Sequence, residues 1–291
     1  MSGADARERG VDLRHGIERL GGDSQVDDKA LVLPPGHFAR FDPFLIMAED
    51  RFSTPGFDWH PHRGLETVTV VLDGALEHGD NRGNAGVLEP GDVQWMTAGS
   101  GIVHRELAYR DEHAHTLQLW VNLPATDKRV EASYQDLPRG RLGRLGEPGV
   151  DVQLIAGSLG ATSGPARPRR PITALALTLE PGRGIRVELP GEQRAFAYVI
   201  AGRLELGPEA TGLRAGEVAW SDPVGAGPST WELAAPDGDE PVRLVVFAGR
   251  PIRERIVAYG PFVVNSEEEI REAFADYRAG RFGAIPALAR R

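Results

Sequence analysis

Short runs in which apolar residues alternate with polar or small ones recur along the 291-residue chain, among them TVTVVL, GDVQWMT, HTLQLWVNL, VDVQLIAG, ITALALTL and PVRLVVFAG. Period-2 alternation rich in β-branched and aromatic residues, closed off by Gly and Pro, marks half-buried strands. The 36 glycines and 22 prolines are spread throughout and supply frequent turns. The pattern therefore predicts an all-β fold of sandwich or barrel type. One helix is predicted near the end, in SEEEIREAFADYRAG. Ser266 caps it, acids fill its first turn, Ile270, Phe274 and Tyr277 share one face, and Gly280 ends it. Its apolar face is expected to pack against a barrel.

The strand pattern repeats. VTVVLDGALEHG (68 to 79) matches AYVIAGRLELG (197 to 207) across Gly74 and Gly202, and LEPGDVQW (88 to 95) matches LRAGEVAW (213 to 220). Two copies of one small β-barrel are expected, which suits a length sufficient for two cores. The stretch GSLGATSGPARPRRP (157 to 171) resembles a linker but equally suits a long hairpin loop. The boundary is placed earlier, within LPRGRLGRLGEPG (137 to 149). This gives an N-terminal domain, 1–139, and a C-terminal domain, 140–291, that carries the helix.

Composition narrows the chemistry. With no cysteine there is no disulfide framework, no thiolate nucleophile and no Cys-based metal site, so a transition metal would need His, Asp or Glu. A formal charge of −9 and no basic block at either end argue against direct nucleic-acid binding. No apolar run approaches the length of a membrane span, and the N-terminus lacks the apolar core of a signal peptide. A cytoplasmic protein is expected. There is no G-x-S-x-G, phosphate-binding glycine loop or dinucleotide fingerprint, so hydrolase, kinase and dehydrogenase readings lack their residues.

In WHPHRGLETVTVVLDG, read as a strand, His60 and His62 are two residues apart and point to one face. In TAGSGIVHRE, His104 and Glu106 repeat that spacing. Antiparallel pairing of the two segments would converge three imidazoles and a carboxylate. Such a set suits Fe(II), Mn(II), Ni(II), Cu(II) or Zn(II) and leaves positions open if the ion is more than four-coordinate. The repeat supplies a control. The same steps counted in the second copy land on Glu188, Pro190, Ser229 and Trp231, and no histidine follows His115. The second domain is therefore expected to be metal-free.

Other residues read more blandly. His113 and His115 also sit at period 2 but follow acids and suggest a solvated strand entrance. His78 enters a turn and is expected to be exposed. His15 and His37 lack ligand-type neighbours, and Arg167, Arg169 and Arg170 read as a solvated loop. Phe57, Trp59, Trp95, Met96 and Trp120 flank the site block; core packing is the default for each, though together they could wall an apolar pocket.

HPHRGLETVTVVLDGALEH, NAGVLEPGDVQWMTAGSGIVHRE, LQLWVNLPATDK and YQDLP resemble the N-terminal signature of the pirin family, bicupins of the cupin superfamily. The tail YGPFVVNSEEEIREAFADYRAGRFG resembles the family's C-terminal segment. The resemblance covers nearly the whole chain from about Phe41, although Gly140 to Gly260 matches only in pattern. It implies two cupin-type jelly-roll barrels facing each other, with one metal, most readily Fe(II), in the first. Carried over by position, its ligands are His60, His62, His104 and Glu106. In the general cupin motif a glutamate at the spacing of Glu66 is a ligand; the pirin pattern takes its carboxylate from the second motif and leaves Glu66 a supporting role.

Two functions follow from the resemblance. One is a quercetin 2,3-dioxygenase-like enzyme, acting on a flavonol or similar aromatic enol and dioxygen, with Glu106 as ligand and base. The other is a metal- or redox-dependent regulatory protein that binds a transcription factor or metabolic enzyme. A monomer is expected in either case.

Overall fold

A computed structural model describes residues 6–53 and 56–286. In chain order the strands are β1 (Arg7–Glu8), β2 (Leu13–Gly16), β3 (Glu18–Arg19), β4 (Asp28–Leu33), β5 (Phe44–Phe52), β6 (Phe57–His62), β7 (Leu65–Gly74), β8 (Leu76–Asp80), β9 (Ala85–Leu88), β10 (Val93–Thr97), β11 (Ile102–Ala108), β12 (Ala114–Asn122) and β13 (Ser133–Leu137). They continue as β14 (Gly143–Glu147), β15 (Val150–Ala156), β16 (Ser158–Leu159), β17 (Thr162–Ser163), β18 (Ile172–Leu179), β19 (Gly184–Pro190), β20 (Arg194–Ala201), β21 (Arg203–Leu206), β22 (Thr211–Arg214), β23 (Glu217–Ser221), β24 (Pro228–Ala234), β25 (Val242–Gly249), β26 (Val257–Tyr259) and β27 (Phe262–Val264). The α-helices among the described residues are a single turn, α1 (Phe38–Phe41), and α2 (Glu267–Arg278). None is long and apolar enough to cross a membrane.

The fold is all-β, with two jelly-roll units. One is built from Arg19–Arg139 and Ile252–Arg291, the other from the residues up to Glu18 and Gly140–Pro251. The first unit has a seven-stranded sheet, in the order β13-β10-β7-β12-β5-β4-β3, and a four-stranded sheet, β6-β11-β8-β9. The second has a seven-stranded sheet, β14-β15-β18-β25-β20-β23-β2, and a smaller sheet in which β24 pairs with β1, β19 and β21. The repeat is real in three dimensions: β7 turns into β8 at Gly74, β20 turns into β21 at Gly202, and both glycines have positive φ, 71° and 78°. β10 pairs antiparallel with β7, and β23 does the same with β20.

One boundary between units falls at 139/140, but the linear partition expected from sequence is crossed twice. β2 pairs antiparallel with β23 (Leu13↔Trp220) and β1 parallel with β24 (Arg7↔Ser229), so the N-terminal strands complete the second unit. The C-terminal segment, expected in the second domain, returns to the first. Ser266 accepts the Glu269 amide at 3.2 Å, and the Glu269 carboxylate in turn accepts the Asn265 amide at 2.9 Å, so the side chains of the cap and of the first turn satisfy backbone donors on both sides of the helix start. The apolar face of α2, Ile270, Phe274 and Tyr277, packs with buried Ala273, Phe262 and Phe282 against Val103 of β11. This apolar burial outweighs proximity in sequence, because the hydrophobic gain depends on the area covered and not on chain separation.

The corner between β6 and β7 has consequences for the site. Gly64 has φ of 80°, and a Cβ there would lie 1.9 Å from the Val263 carbonyl oxygen. Only glycine lets β27 approach so closely. Arg63, beside it, pairs with Asp276 of α2 at 2.7 Å and donates to the Ser100 carbonyl at 2.7 Å.

Candidate metal centre

β6 and β11 pair antiparallel with His104 opposite His60. Period-2 alternation sends His60 and His62 from one strand, and His104 and Glu106 from the other, to the inner face of the unit. The imidazole centroids of His60 and His104 are 4.3 Å apart, and His62 lies 5.0 Å from each. One nitrogen from each ring falls within 4.8 Å of the others, and among the described residues this is the group arranged to hold a metal ion. His60 Nδ1 lies 2.7 Å from the Asp58 carbonyl oxygen. As a donor to that oxygen it leaves Nε2 with its lone pair toward the cluster.

The donor set fits a divalent transition metal. Nε2 of His104 is buried with no hydrogen-bond partner, and the ring of His62, equally buried, has only the Pro261 carbonyl nearby, outside good hydrogen-bond geometry, a costly state that a bound cation would relieve. Burial first, and the neighbouring His60 second, hold His62 and His104 well below the usual histidine range. Neutral imidazole is the form that ligates.

Glu106 shares the inner face, but a β-bulge separates its pairing from that of His104. Its carboxylate lies outside the 4.8 Å histidine group. Instead it is held from behind: Thr69 donates its hydroxyl to Oε1 at 3.1 Å, and Gln118 donates Nε2 to Oε2 at 2.7 Å. Trp120 donates to Gln118 Oε1 at 3.3 Å and sets its ring edge-on to His62, centroids 5.0 Å apart. Sequence reasoning missed Thr69 and Gln118; their signal is register, since they face each other across β7 and β12.

Glu66 points elsewhere. Its strand parity is broken by the Gly64 corner, and along β7 it lies three residues from inward-facing Thr69. Its carboxylate accepts the Thr97 hydroxyl at 2.7 Å. The aromatic wall is also smaller than the sequence allows. Trp120 borders the histidines, and Phe57 packs on the Phe52, Val71 and Leu76 cluster, 6.3 Å from His60. Trp59, on the outer face of β6, packs on the Phe262 and Phe282 cluster under α2. Trp95 is fully buried opposite Val68, on the face away from Thr69, and Met96 packs with Ile102, Ala132 and Tyr134.

His78 is buried, not exposed as expected: β8 alternates Leu76, His78 and Asp80 inward, and His78 lies opposite Glu106. His113 pairs with Asp73 at 3.0 Å and His115 with Glu49 at 2.8 Å, both away from the cluster. His15 accepts from Trp220, and His37 is exposed. Arg167 donates to carbonyls of its own loop, Gly164 to Ala166. In the second unit, counting from Gly202 selected Glu188 and Pro190, yet both face outward. The inward positions are Val187 and Leu189 of β19 with Trp231 and Leu233 of β24, all in one apolar core.

A family model described as Pirin matches residues 34–121, and another, described as Pirin C-terminal cupin domain, matches residues 174–283. The chain belongs to the pirin family. Pirin from Homo sapiens is 38% identical over 246 residues, covering 83% of this chain and 83% of its own. The crystal structure of quercetin 2,3-dioxygenase from Acinetobacter baumannii superposes with a TM-score of 0.83 at 27% identity, over 96% of this chain and 100% of that one. A bacterial pirin from Escherichia coli, solved in complex with nickel(II), shares the fold, with a TM-score of 0.64 at 19% identity over 82% and 100% of the two chains. Within this pirin family chain, the first matched segment contains His60, His62, His104 and Glu106, and the second ends beyond α2.

Proposed function

We propose that the protein is a metal-dependent oxygenase that cleaves a flavonol or similar aromatic enol, with the metal held by His60, His62, His104 and Glu106. Iron(II) is the ion of first choice; Mn, Ni, Cu and Zn suit the same donors. The observation that carries the reading is the convergence of three imidazoles, with Nε2 of His104 buried and without a partner, beside a carboxylate whose orientation is fixed by Thr69 and Gln118. Likeness to the quercetin 2,3-dioxygenase of Acinetobacter baumannii supports the substrate class.

A divalent ion at this site would supply Lewis acidity toward an enol hydroxyl and the redox chemistry that dioxygen requires. The remaining work falls to the chain. Trp120 offers a flat apolar wall on which a planar ring system can lie. Each Glu106 oxygen accepts one hydrogen bond, and a carboxylate oxygen has room for a second interaction. Glu106 can thus both ligate and take the enol proton, while Thr69 and Gln118 keep it from swinging away.

The test is turnover of quercetin by iron-loaded protein in air and under anaerobic conditions. Ring cleavage with carbon monoxide release is expected in air alone, and His104→Ala should reduce it at least a hundredfold. Metal-loaded protein that leaves quercetin intact in air would overturn the oxygenase reading.

A further inference from the structure

Tyr134 and Asp136 belong to YQDLP, a signature segment to which no role attaches in the reaction above. Both lie on β13, two residues apart and so on one face, and β13 pairs with β10 at the edge of the sheet. The Tyr134 hydroxyl is 3.2 Å from His104 Nδ1. The Tyr134 ring stacks on His78, with centroids 5.4 Å apart and planes 21° from parallel. His78 Nε2 is 3.3 Å from Asp136 Oδ2, and the other Asp136 oxygen accepts from Gln94 at 3.2 Å. Beneath the imidazole lies Gly86, where a Cβ would stand 2.8 Å from His78 Nε2. Side chains from β8, β10 and β13, packed over a glycine of β9, thus hold one phenol against one ligand ring.

We infer that Tyr134 is a positioning residue of the metal centre, fixing His104 with Nδ1 turned to the phenol and Nε2 turned into the cluster. The inference rests on the metal reading above. A neutral imidazole carries one proton, and the hydrogen bond made by one nitrogen decides which nitrogen is left to ligate. For His60 the partner is a backbone carbonyl, Asp58 O, built into its own strand. For His104 it is a side chain delivered from the other sheet. When Nε2 binds an ion, Nδ1–H donates to the Tyr134 oxygen. Losing such a ligand-orienting partner typically lowers metal affinity about 10- to 100-fold.

The experiment is Tyr134→Phe, which keeps the ring and its stack on His78 and removes only the hydroxyl. Affinities for Fe(II), Ni(II) and Zn(II) are measured by competition with a chromophoric chelator. The His104 tautomer is read in the Zn(II)-loaded protein from long-range 1H–15N correlations. An affinity loss of about 10- to 100-fold is expected, with loss or displacement of the Nδ1–H signal and an unchanged melting temperature of the metal-free protein. Affinities within twofold of the parent, with Nδ1–H intact, would overturn the inference. A matching fall in metal-free melting temperature would also overturn it, by making Tyr134 a packing residue. Parent protein that takes up no metal would overturn this inference and the metal reading together. Metal uptake without quercetin turnover would remove only the oxygenase reading.

Discussion

Asp50 is a buried carboxylate on the inner face that bears Gln118, since β5 and β12 pair with Asp50 opposite Thr116 and Ala48 opposite Gln118. Burial pushes its carboxyl up from 3.8 to about 7; Lys29 Nζ, 3.8 Å away, pulls it down, and Glu106 pushes it further up. The folded state therefore keeps a proton that the unfolded chain has lost between pH 3.8 and about 7, and this group's contribution to stability falls as pH rises through that window. At about 1.4 kcal/mol per pH unit, the effect is limited to roughly 4 kcal/mol. Urea unfolding of Asp50→Asn should show a stability gain over the parent that grows from pH 4.5 to pH 8; a difference flat with pH would contradict the assignment. Asp50 and His78 were invisible as site neighbours because nothing in their local sequence reports which face of a strand is inward. His60, His62 and His104 were legible because period 2 in a strand is itself a geometric statement. The role of Glu66 was not, because parity is lost at the Gly64 corner.

At the scale of elements, strand runs and the capped helix announce themselves through alternation, turn glycines and the Ser266 cap, all local properties. What holds elements to one another is not local. Lys128 is buried, and its ammonium donates to the carbonyls of Gly64 and Val263 at 2.8 and 3.0 Å and to Asn122 Oδ1 at 2.7 Å. It ties the β6–β7 corner, the end of β12 and β27 into one joint, yet in sequence it is an unremarked lysine in LPATDK. Lys128→Met keeps the aliphatic stem and orphans three buried acceptors. Denaturant unfolding should report a loss of about 2–4 kcal/mol. A loss below about 0.5 kcal/mol would mean that water satisfies the joint and the lysine does not.

For the whole molecule, the repeat predicted two barrels but not which residues complete each. That depends on long-range burial, such as Phe262 and Ala273 against Val103, which no window of sequence contains. Removing residues 252–291 should therefore abolish metal uptake, measured by elemental analysis, because it strips the cover from β11. Removing residues 1–18 should spare metal uptake while making Gly140–Pro251 sensitive to protease. The reverse pattern would contradict this partition. The crossed ends also bear on synthesis. Buried Arg9 donates to Ser229, 220 residues further along. At roughly 5–20 residues per second, the ribosome needs on the order of ten to forty seconds to deliver that partner. The packing of α2 against β11 likewise waits for a segment made much later in the chain, Glu267–Arg278. The strands that carry the histidines, β6 and β11, are thus made well before the helix that covers β11.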